Sequence, residues 1–279
     1  MIWQIGSSQL DLSRRGLVMG ILNATPDSFS DGGSFMAPEA ACAHGMWLLE
    51  QGADIIDVGG ESTRPGAESV PADEELRRVI PVIRGLRART SGLISIDTSK
   101  ASVAAGALDA GADIVNDISG LRGDPGMAAL LSRSAAGVVL MHMRGEPRNM
   151  QLKPTYDDVV GEVGEFFRQA LATAVASGID PMRIVLDPGI GFGKTPEHNR
   201  QLLAALSSFM NFGRPLLVGV SRKSFLGWVT GTREIPDRHW PGVAMTSYSR
   251  ERGARIVRVH DPKAHSEALR MTEAILGDA

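Results

Sequence analysis

Eight short apolar segments recur along 279 residues, each opening into a polar loop and most followed by a stretch of helical spacing. This pattern predicts an α/β fold, a (β/α)8 TIM barrel. Short unbroken apolar strands suit a parallel sheet covered on both faces. The length agrees, because α/β barrels of this size form a single domain. No linker, low-complexity tract or charge block divides residues 1–279. An open doubly wound sheet is the alternative packing of the same elements.

The first strand, 17–22, stops on Asn23 and opens into the polar loop TPDSFSDGG. A strand that ends on an amide and runs into a Gly/Ser/Asp loop is shaped like a site, since function sits on loops held by a scaffold. Helix 38–52 follows, with Ala40, Met46, Trp47 and Leu48 on an apolar face and Gly52 as its stop. Strand 54–58 leads into a second polar loop, GGESTRPG. Helix 73–89 carries Leu76, Val79, Ile80, Ile83 and Leu86 on one side, and strand 93–96 then ends at Asp97. Helix 101–110 precedes strand 114–115, which ends at Asn116-Asp117, and 127–132 forms a short helix. Strand 138–141 ends at His142, a long loop leads to helix 159–177, and strand 184–186 ends at Asp187. Helix 198–210, strand 216–220 ending in SRKS, a helix from Pro241-Gly242 to about 252, strand 256–259 and helix 265–276 complete the chain.

Composition narrows the function. The chain is 43% hydrophobic and 22% charged with a net charge of -3, which gives no electrostatic case for nucleic acid. One cysteine, Cys42, excludes an internal disulfide and a multi-cysteine metal site and fits a reducing compartment. The N-terminus lacks a basic segment followed by an apolar core, and no stretch is long and apolar enough to span a bilayer. The expected location is the cytoplasm, with no membrane partner.

In a barrel, functional groups gather at the C-terminal ends of the strands. Those ends supply Asn23, the loop Glu61-Ser62-Thr63-Arg64, Asp97, Asn116, His142, Asp187, Ser221-Arg222-Lys223, Arg258 and His260. Asp97, Asn116 and Asp187 offer acceptors and an amide to a flat, donor-rich heterocycle such as an aminopyrimidinone. Arg64, Arg222, Lys223, Arg258 and His260 offer positive charge to an anion, phosphate above all. There is no Ser–His–Asp set and no zinc-ligand spacing. Each candidate also has a plainer reading. Asp187 could open a turn before Pro188, Asp97 and Asn116 could cap the next helices, Arg222 and Lys223 could be solvated, and His142 could be a satisfied core histidine. DPGIGFGK (187–194) is glycine-rich but fits neither GxGxxG nor Walker A spacing. Its glycines let the backbone turn sharply or pass close to a ligand, with Phe192 exposed.

GILNATPDSFSDGG, DIIDVGGESTRPG, ISIDTSK, IVNDISG, LMHM, LDPGIGFGK, GVSRKSFLG and RIVRVHD, in this order and spacing, resemble dihydropteroate synthases from about residue 16 to the C-terminus. The resemblance implies a (β/α)8 barrel, usually homodimeric, that joins 6-hydroxymethyl-7,8-dihydropterin pyrophosphate to p-aminobenzoate with Mg²⁺ and releases pyrophosphate. It implies that Asp97, Asn116 and Asp187 hold the pterin edge, with Met141 and Lys223 lining that pocket and Arg258 against the ring. It places Asn23 on Mg²⁺, and Asn23, Arg64, Arg258 and His260 around the pyrophosphate. Thr63, Arg64, Pro65, Pro26 and Phe29 would close over p-aminobenzoate, with Phe192, Ser221, Arg222 and Lys223 finishing that pocket. Sulfonamides would then compete with p-aminobenzoate. The alternative is a pterin-binding methyltransferase working with a corrinoid partner, but such enzymes are not expected to carry TPDSFSDGG or SRKS.

One stretch departs from the resemblance. Arg-x-x-Gly-Ser-x-Ala is expected before the last helix but one, where this chain reads Arg238-His239-Trp240-Pro241-Gly242-Val243-Ala244. The helix that follows is unusually polar, and Pro262 replaces the usual valine after the final His-Asp, which reads as a turn variant.

Overall fold

The computed structural model describes residues 1–24 and 36–277. The chain opens on an antiparallel hairpin that the strand count above did not include, β1 (Ile2–Ile5) paired with β2 (Ser8–Asp11). Eight parallel strands then close into a barrel: β3 (Leu17–Asn23), β4 (Ile55–Gly59), β5 (Leu93–Asp97), β6 (Ile114–Asp117), β7 (Gly137–Met141), β8 (Ile184–Asp187), β9 (Leu216–Val218) and β10 (Ala254–Val259). β10 pairs with both β3 and β9, which closes the ring and excludes the open doubly wound sheet.

The helices fall close to their expected places: α1 (Met36–Glu50), α2 (Ala72–Arg87), α3 (Ala101–Asp109), α4 (Gly126–Arg133), α5 (Val159–Ala176), α6 (Pro196–Ala204), α7 (Ser224–Thr230), α8 (His239–Glu251) and α9 (Pro262–Leu276). Three local differences have physical causes. A capping box between Thr195 and His198, with Pro196 at the first turn, starts α6 two residues early. The chain tightens after Ala205 into a 3-10 turn, Leu206–Phe212, instead of one continuous helix. Pro262 is not a turn variant but the first residue of α9, where its missing N–H costs nothing. The short α7 has no counterpart in the sequence reading, which assigned no element between SRKS and Pro241.

Strand alternation separates two cores. Outward residues such as Ile56, Val58, Ile94 and Ile96 meet the helices. Inward residues of the lower barrel, among them Met19, Ile55, Ile114, Val139 and Val185, form a second cluster. The hairpin plugs that end: Trp3 is fully buried in the second cluster, and its indole N–H donates to the Arg183 carbonyl at 2.8 Å. Burying such a side chain is worth about 2–3 kcal/mol. The polar helix α8 is polar on its inner side because it meets buried partners on α9. Arg250 donates to Glu273 at 2.8 Å, and Thr246 lies 2.7 Å from His265 Nδ1. Cys42 is core packing, tight enough that a Cβ on Gly85 would meet its sulfur.

Candidate active site

The same alternation that fills the lower barrel with aliphatics turns polar at its upper, C-terminal end. Asn23, Gly59, Asp97 and Asn116 are successive register partners across β3 to β6, and Met141 partners Asp187 across β7 and β8. Asp57 lies one inward position below Gly59, on the same face of β4 as Ile55. The strands therefore lift acids and amides into one mouth above an apolar plug.

Arg258 on β10 organises one side of that mouth. Its Nε donates to Asp57 at 2.6 Å and its Nη2 to Asp97 at 2.7 Å, while Asn116 Nδ2 donates to the same Asp57 oxygen at 3.1 Å. Two carboxylates thus share one guanidinium. The second oxygen of each, Asp57 Oδ1 and Asp97 Oδ1, is buried and has no hydrogen-bond partner among the described residues. Burial pushes the Asp97 carboxyl up to about 7, against the pull of Arg258 and with repulsion from Asp57 adding to the rise. These bonds overturn the capping alternative for Asp97 and Asn116, since α3 is preceded by Lys100 and α4 by Pro125, and neither helix has a side-chain cap. Asp57 was missing from the sequence-derived set. Its signal was a carboxylate in mid-strand at the parity of buried Ile55, a position where an unpaired acid is rarely found.

Across the mouth, Asp187 Oδ1 accepts from the Gly189 N–H at 2.7 Å, so this residue does close a turn as well as face inward. Burial raises its carboxyl pKa. Lys223 donates to the Ile190 carbonyl, its ammonium lies 4.4 Å from the centre of the Phe192 ring, and burial lowers its pKa to about 8. Phe192 is half-buried and packs with Met141, Ile118, Met143 and Met150 in an apolar wall. Arg222 and Lys223 are not a solvated pair. Arg222 has φ +60°, and the backbone there sends its guanidinium outward to Asp261 at 2.8 Å, while Lys223 is half-buried and turns to the Ile190 carbonyl. His142 is a satisfied core histidine as read, within 2.9 Å of buried Lys194, and burial ahead of the charges of Lys194 and nearby arginines lowers its pKa to about 2.

Five side chains were expected to offer positive charge to an anion. His260 does not: burial, with Arg222 and Arg258 nearby, lowers its pKa to about 3, and its Nδ1 lies 3.1 Å from Ser221 Oγ. Arg258 spends its guanidinium on Asp57 and Asp97, and Arg222 on Asp261. Arg64 is exposed beside half-buried Thr63 and exposed Pro65. Their loop is anchored from outside, through Gly66 N–H on the Pro147 carbonyl at 3.0 Å and through Glu61, which pairs with Lys100. Pro26 and Phe29 lie outside the described residues.

Mg²⁺ prefers six oxygens and takes few from protein, leaving the rest to water and phosphate. The donor set suits that habit. Half-buried Asn23 offers one neutral oxygen at a strand end, and no cluster of three His, Cys, Asp or Glu among the described residues forms a dedicated cage.

A closed eight-stranded barrel with an acceptor-rich, cation-edged mouth defines a barrel enzyme for a flat, donor-bearing heterocycle. The sequence matches the family described as pterin binding enzyme over residues 19–260. The chain belongs to that family, in its dihydropteroate synthase branch. A dihydropteroate synthase of Synechocystis sp. is 46% identical over 97% of this chain and 94% of its own length. The Yersinia pestis dihydropteroate synthase, solved as a sulfonamide drug complex, superposes with a TM-score of 0.92 at 45% identity, covering 99% of this chain and all of that one. The Xanthomonas albilineans enzyme in complex with 7,8-dihydropteroate gives 0.87 at 44% identity over 97% of each chain. These likenesses do not favour the corrinoid-partnered methyltransferase.

Proposed function

We infer that the chain is a dihydropteroate synthase, a transferase of folate biosynthesis that condenses 6-hydroxymethyl-7,8-dihydropterin pyrophosphate with p-aminobenzoate to give 7,8-dihydropteroate and pyrophosphate. One observation carries this reading: two buried carboxylate oxygens beside a shared guanidinium lack donors among the described residues. An aminopyrimidinone edge presents a row of N–H donors, and leaving such acceptors unmet costs about 1–3 kcal/mol each. Asp97, Asn116 and Asp187 take the pterin edge, with Asp57 behind them. Met141 and Arg258 face the ring, and Lys223 borders both substrates.

The reaction is a substitution of SN1 character. The bond from the exocyclic methylene carbon to pyrophosphate breaks, its electron pair leaves with the phosphate, and the electron-rich pterin carries the cation. The arylamine nitrogen then supplies the pair for the new C–N bond and releases its proton to water. Mg²⁺ at Asn23 would neutralise charge on the leaving group. Arg64 and the neutral His260 donate hydrogen bonds to that group. Thr63, Arg64 and Pro65, with Phe192, Ser221 and Lys223 opposite, enclose p-aminobenzoate and keep water from the cation. Sulfonamides occupy the same pocket.

The reading extends to a cytoplasmic homodimer. No helix among the described residues is long and apolar enough to cross a membrane, and the one cysteine is buried and unpaired. Trp228, Val229, Ile235 and Trp240 are exposed on and between α7 and α8, an apolar surface that a second copy would cover. The test of function is product formation from the pterin pyrophosphate, p-aminobenzoate and Mg²⁺. Wild type is expected to make dihydropteroate and Asp187→Ala to lose at least 100-fold in rate. A folded wild type that makes none overturns the reading.

A further inference from the structure

The reaction draws on Asp187, Phe192 and Lys223 but leaves Lys194 without a task, although that side chain is 2% exposed. A buried ammonium is costly unless hydrogen bonds replace its water. Lys194 has four such contacts. Nζ donates to the carbonyls of Gly189 and Phe192 at 3.0 Å each and of His142 at 3.3 Å, and lies 2.9 Å from His142 Nδ1. Two of these acceptors belong to the loop after β8, and two to the residue that follows β7.

That loop is anchored at every carbonyl from 189 to 193. Besides the two held by Lys194, Ile190 accepts from Lys223, Gly191 from Gln151 at 2.6 Å, and Gly193 from the Tyr156 hydroxyl at 2.9 Å. The seam beneath it is closed. A Cβ on Gly189 would overlap the His142 carbonyl oxygen, and one on Gly193 that of Arg144. These glycines therefore turn the backbone sharply, at φ +65° and +64°, as the sequence suggested, and the close approach they allow is to the protein's own backbone. Phe192 is the side chain this platform presents, and its ring lies under the Lys223 ammonium.

We propose that Lys194 is a positioning residue for the arylamine half of the site, locking the 189–193 loop onto the end of β7 so that Phe192 and Lys223 keep the walls of the p-aminobenzoate pocket. The proposal rests on the dihydropteroate synthase reading. The pterin edge depends less on this lock, because Asp187 belongs to β8 itself and is held in register opposite Met141.

The test compares Lys194→Met, which keeps the side chain's length and removes its donors, with Val163→Ala, which opens the buried face of α5 away from the mouth. KM for each substrate and the melting temperature are measured for both. Lys194→Met is expected to raise KM for p-aminobenzoate at least tenfold and KM for the pterin pyrophosphate less than threefold. Val163→Ala is expected to lower the melting temperature and leave both KM values alone. Equal changes in the two KM values, or none, in folded Lys194→Met overturn the proposal. If that variant does not fold, Tyr156→Phe and Gln151→Ala remove neighbouring anchors of the same loop, and a rise confined to the p-aminobenzoate KM supports the lock while unchanged ratios refute it. Wild-type turnover is run alongside. Its absence fails the functional reading and the proposal with it, whereas normal turnover with an unaltered KM ratio fails the proposal alone.

Discussion

Asp97 should make pterin binding depend on pH, and the size of the effect follows from its surroundings. One oxygen is tied to Arg258 at 2.7 Å and the other has no donor among the described residues, and burial pushes the carboxyl up to about 7. A ring edge that donates to this group binds its ionised form. At pH 7 about half of the carboxyl is ionised and at pH 5 only about 1%, so apparent affinity should fall about 50-fold between the two, or about 2.3 kcal/mol. The sign for folding is opposite. A carboxyl whose pKa is raised by folding binds its proton more tightly in the native state, so this group's contribution to stability is present at low pH and is lost as pH rises from about 4 to about 7. His260 and His142, held near 3 and 2, stay neutral in the folded protein across this range and put no slope on pterin binding, but the unfolded chain takes up the protons they refuse, so their burial costs stability as pH falls below about 6.5.

The assay is calorimetric titration with 6-hydroxymethyl-7,8-dihydropterin, chosen because it carries no titrating phosphate, from pH 5 to 7.5 in buffers of differing ionisation enthalpy. Close to one proton should be released per ligand bound at pH 5, falling towards none at pH 7.5. Asp97→Asn should flatten the profile and weaken binding at pH 7.5 by about 10- to 150-fold, the value of a hydrogen bond to a charged group at about 1.5–3 kcal/mol. A flat wild-type profile refutes the reasoning. A slope that survives in Asp97→Asn moves the titration to Asp187, whose carboxyl burial also raises.

Two further substitutions probe the other charges. Lys223, lowered to about 8 by burial, should lose its proton and its attraction to Asp187 at higher pH. Turnover should therefore decline above pH 8, and Lys223→Met should be at least 100-fold slower at pH 7.5 with no such decline. An alkaline limb retained by the variant refutes the assignment. Asp57→Asn breaks a buried pair with Arg258, at a cost of about 3–5 kcal/mol in stability. A thermal melt and pterin titration measure it, and an unchanged melting temperature with unchanged affinity would show that the shared guanidinium is not what holds the pocket.

The barrel was legible because its evidence is periodic: eight apolar strands of similar length at regular intervals, each ending on a polar residue. The hairpin was not, because IWQI and SQLD are short and half-polar, and they make sense only against the open lower end of the barrel that Trp3 fills. The upper rim was readable as a set of strand-end residues but not as a set of partners. Nothing in RIVRVHD says that Arg258 reaches across to Asp57 and Asp97, residues 201 and 161 positions away in the chain. Asp57 itself was hidden by its place inside a strand, while attention fell on residues at strand ends. His260 looked cationic on residue type alone. Only the burial and the neighbouring guanidiniums, which are tertiary facts, make it neutral. Lys194 had no signal beyond closing a glycine-rich stretch, because its burial depends on carbonyls that only the folded loop turns inward around it.

A carboxyl near pH 7 in an active site invites assignment as a general base, since catalytic bases are tuned to that range. The chemistry here argues for a different use. An arylamine is a nucleophile without deprotonation, and once its nitrogen has formed the new bond it is a strong acid that yields its proton to water unaided. Asp97 is moreover committed on one side to Arg258, and its other oxygen shares the acceptor-rich side of the mouth with Asp57 and Asn116. A base would act in the bound complex and leave its acid limb in kcat. A group that only receives the pterin should put that limb in kcat/KM for the pterin pyrophosphate and lose it from kcat once the pterin is saturating, because the ring's donors hold the carboxylate ionised. Arg258→Met, which removes the guanidinium, should drive the limb to higher pH in kcat/KM. A limb near pH 7 that persists in kcat at saturating pterin would make Asp97 a proton acceptor after all.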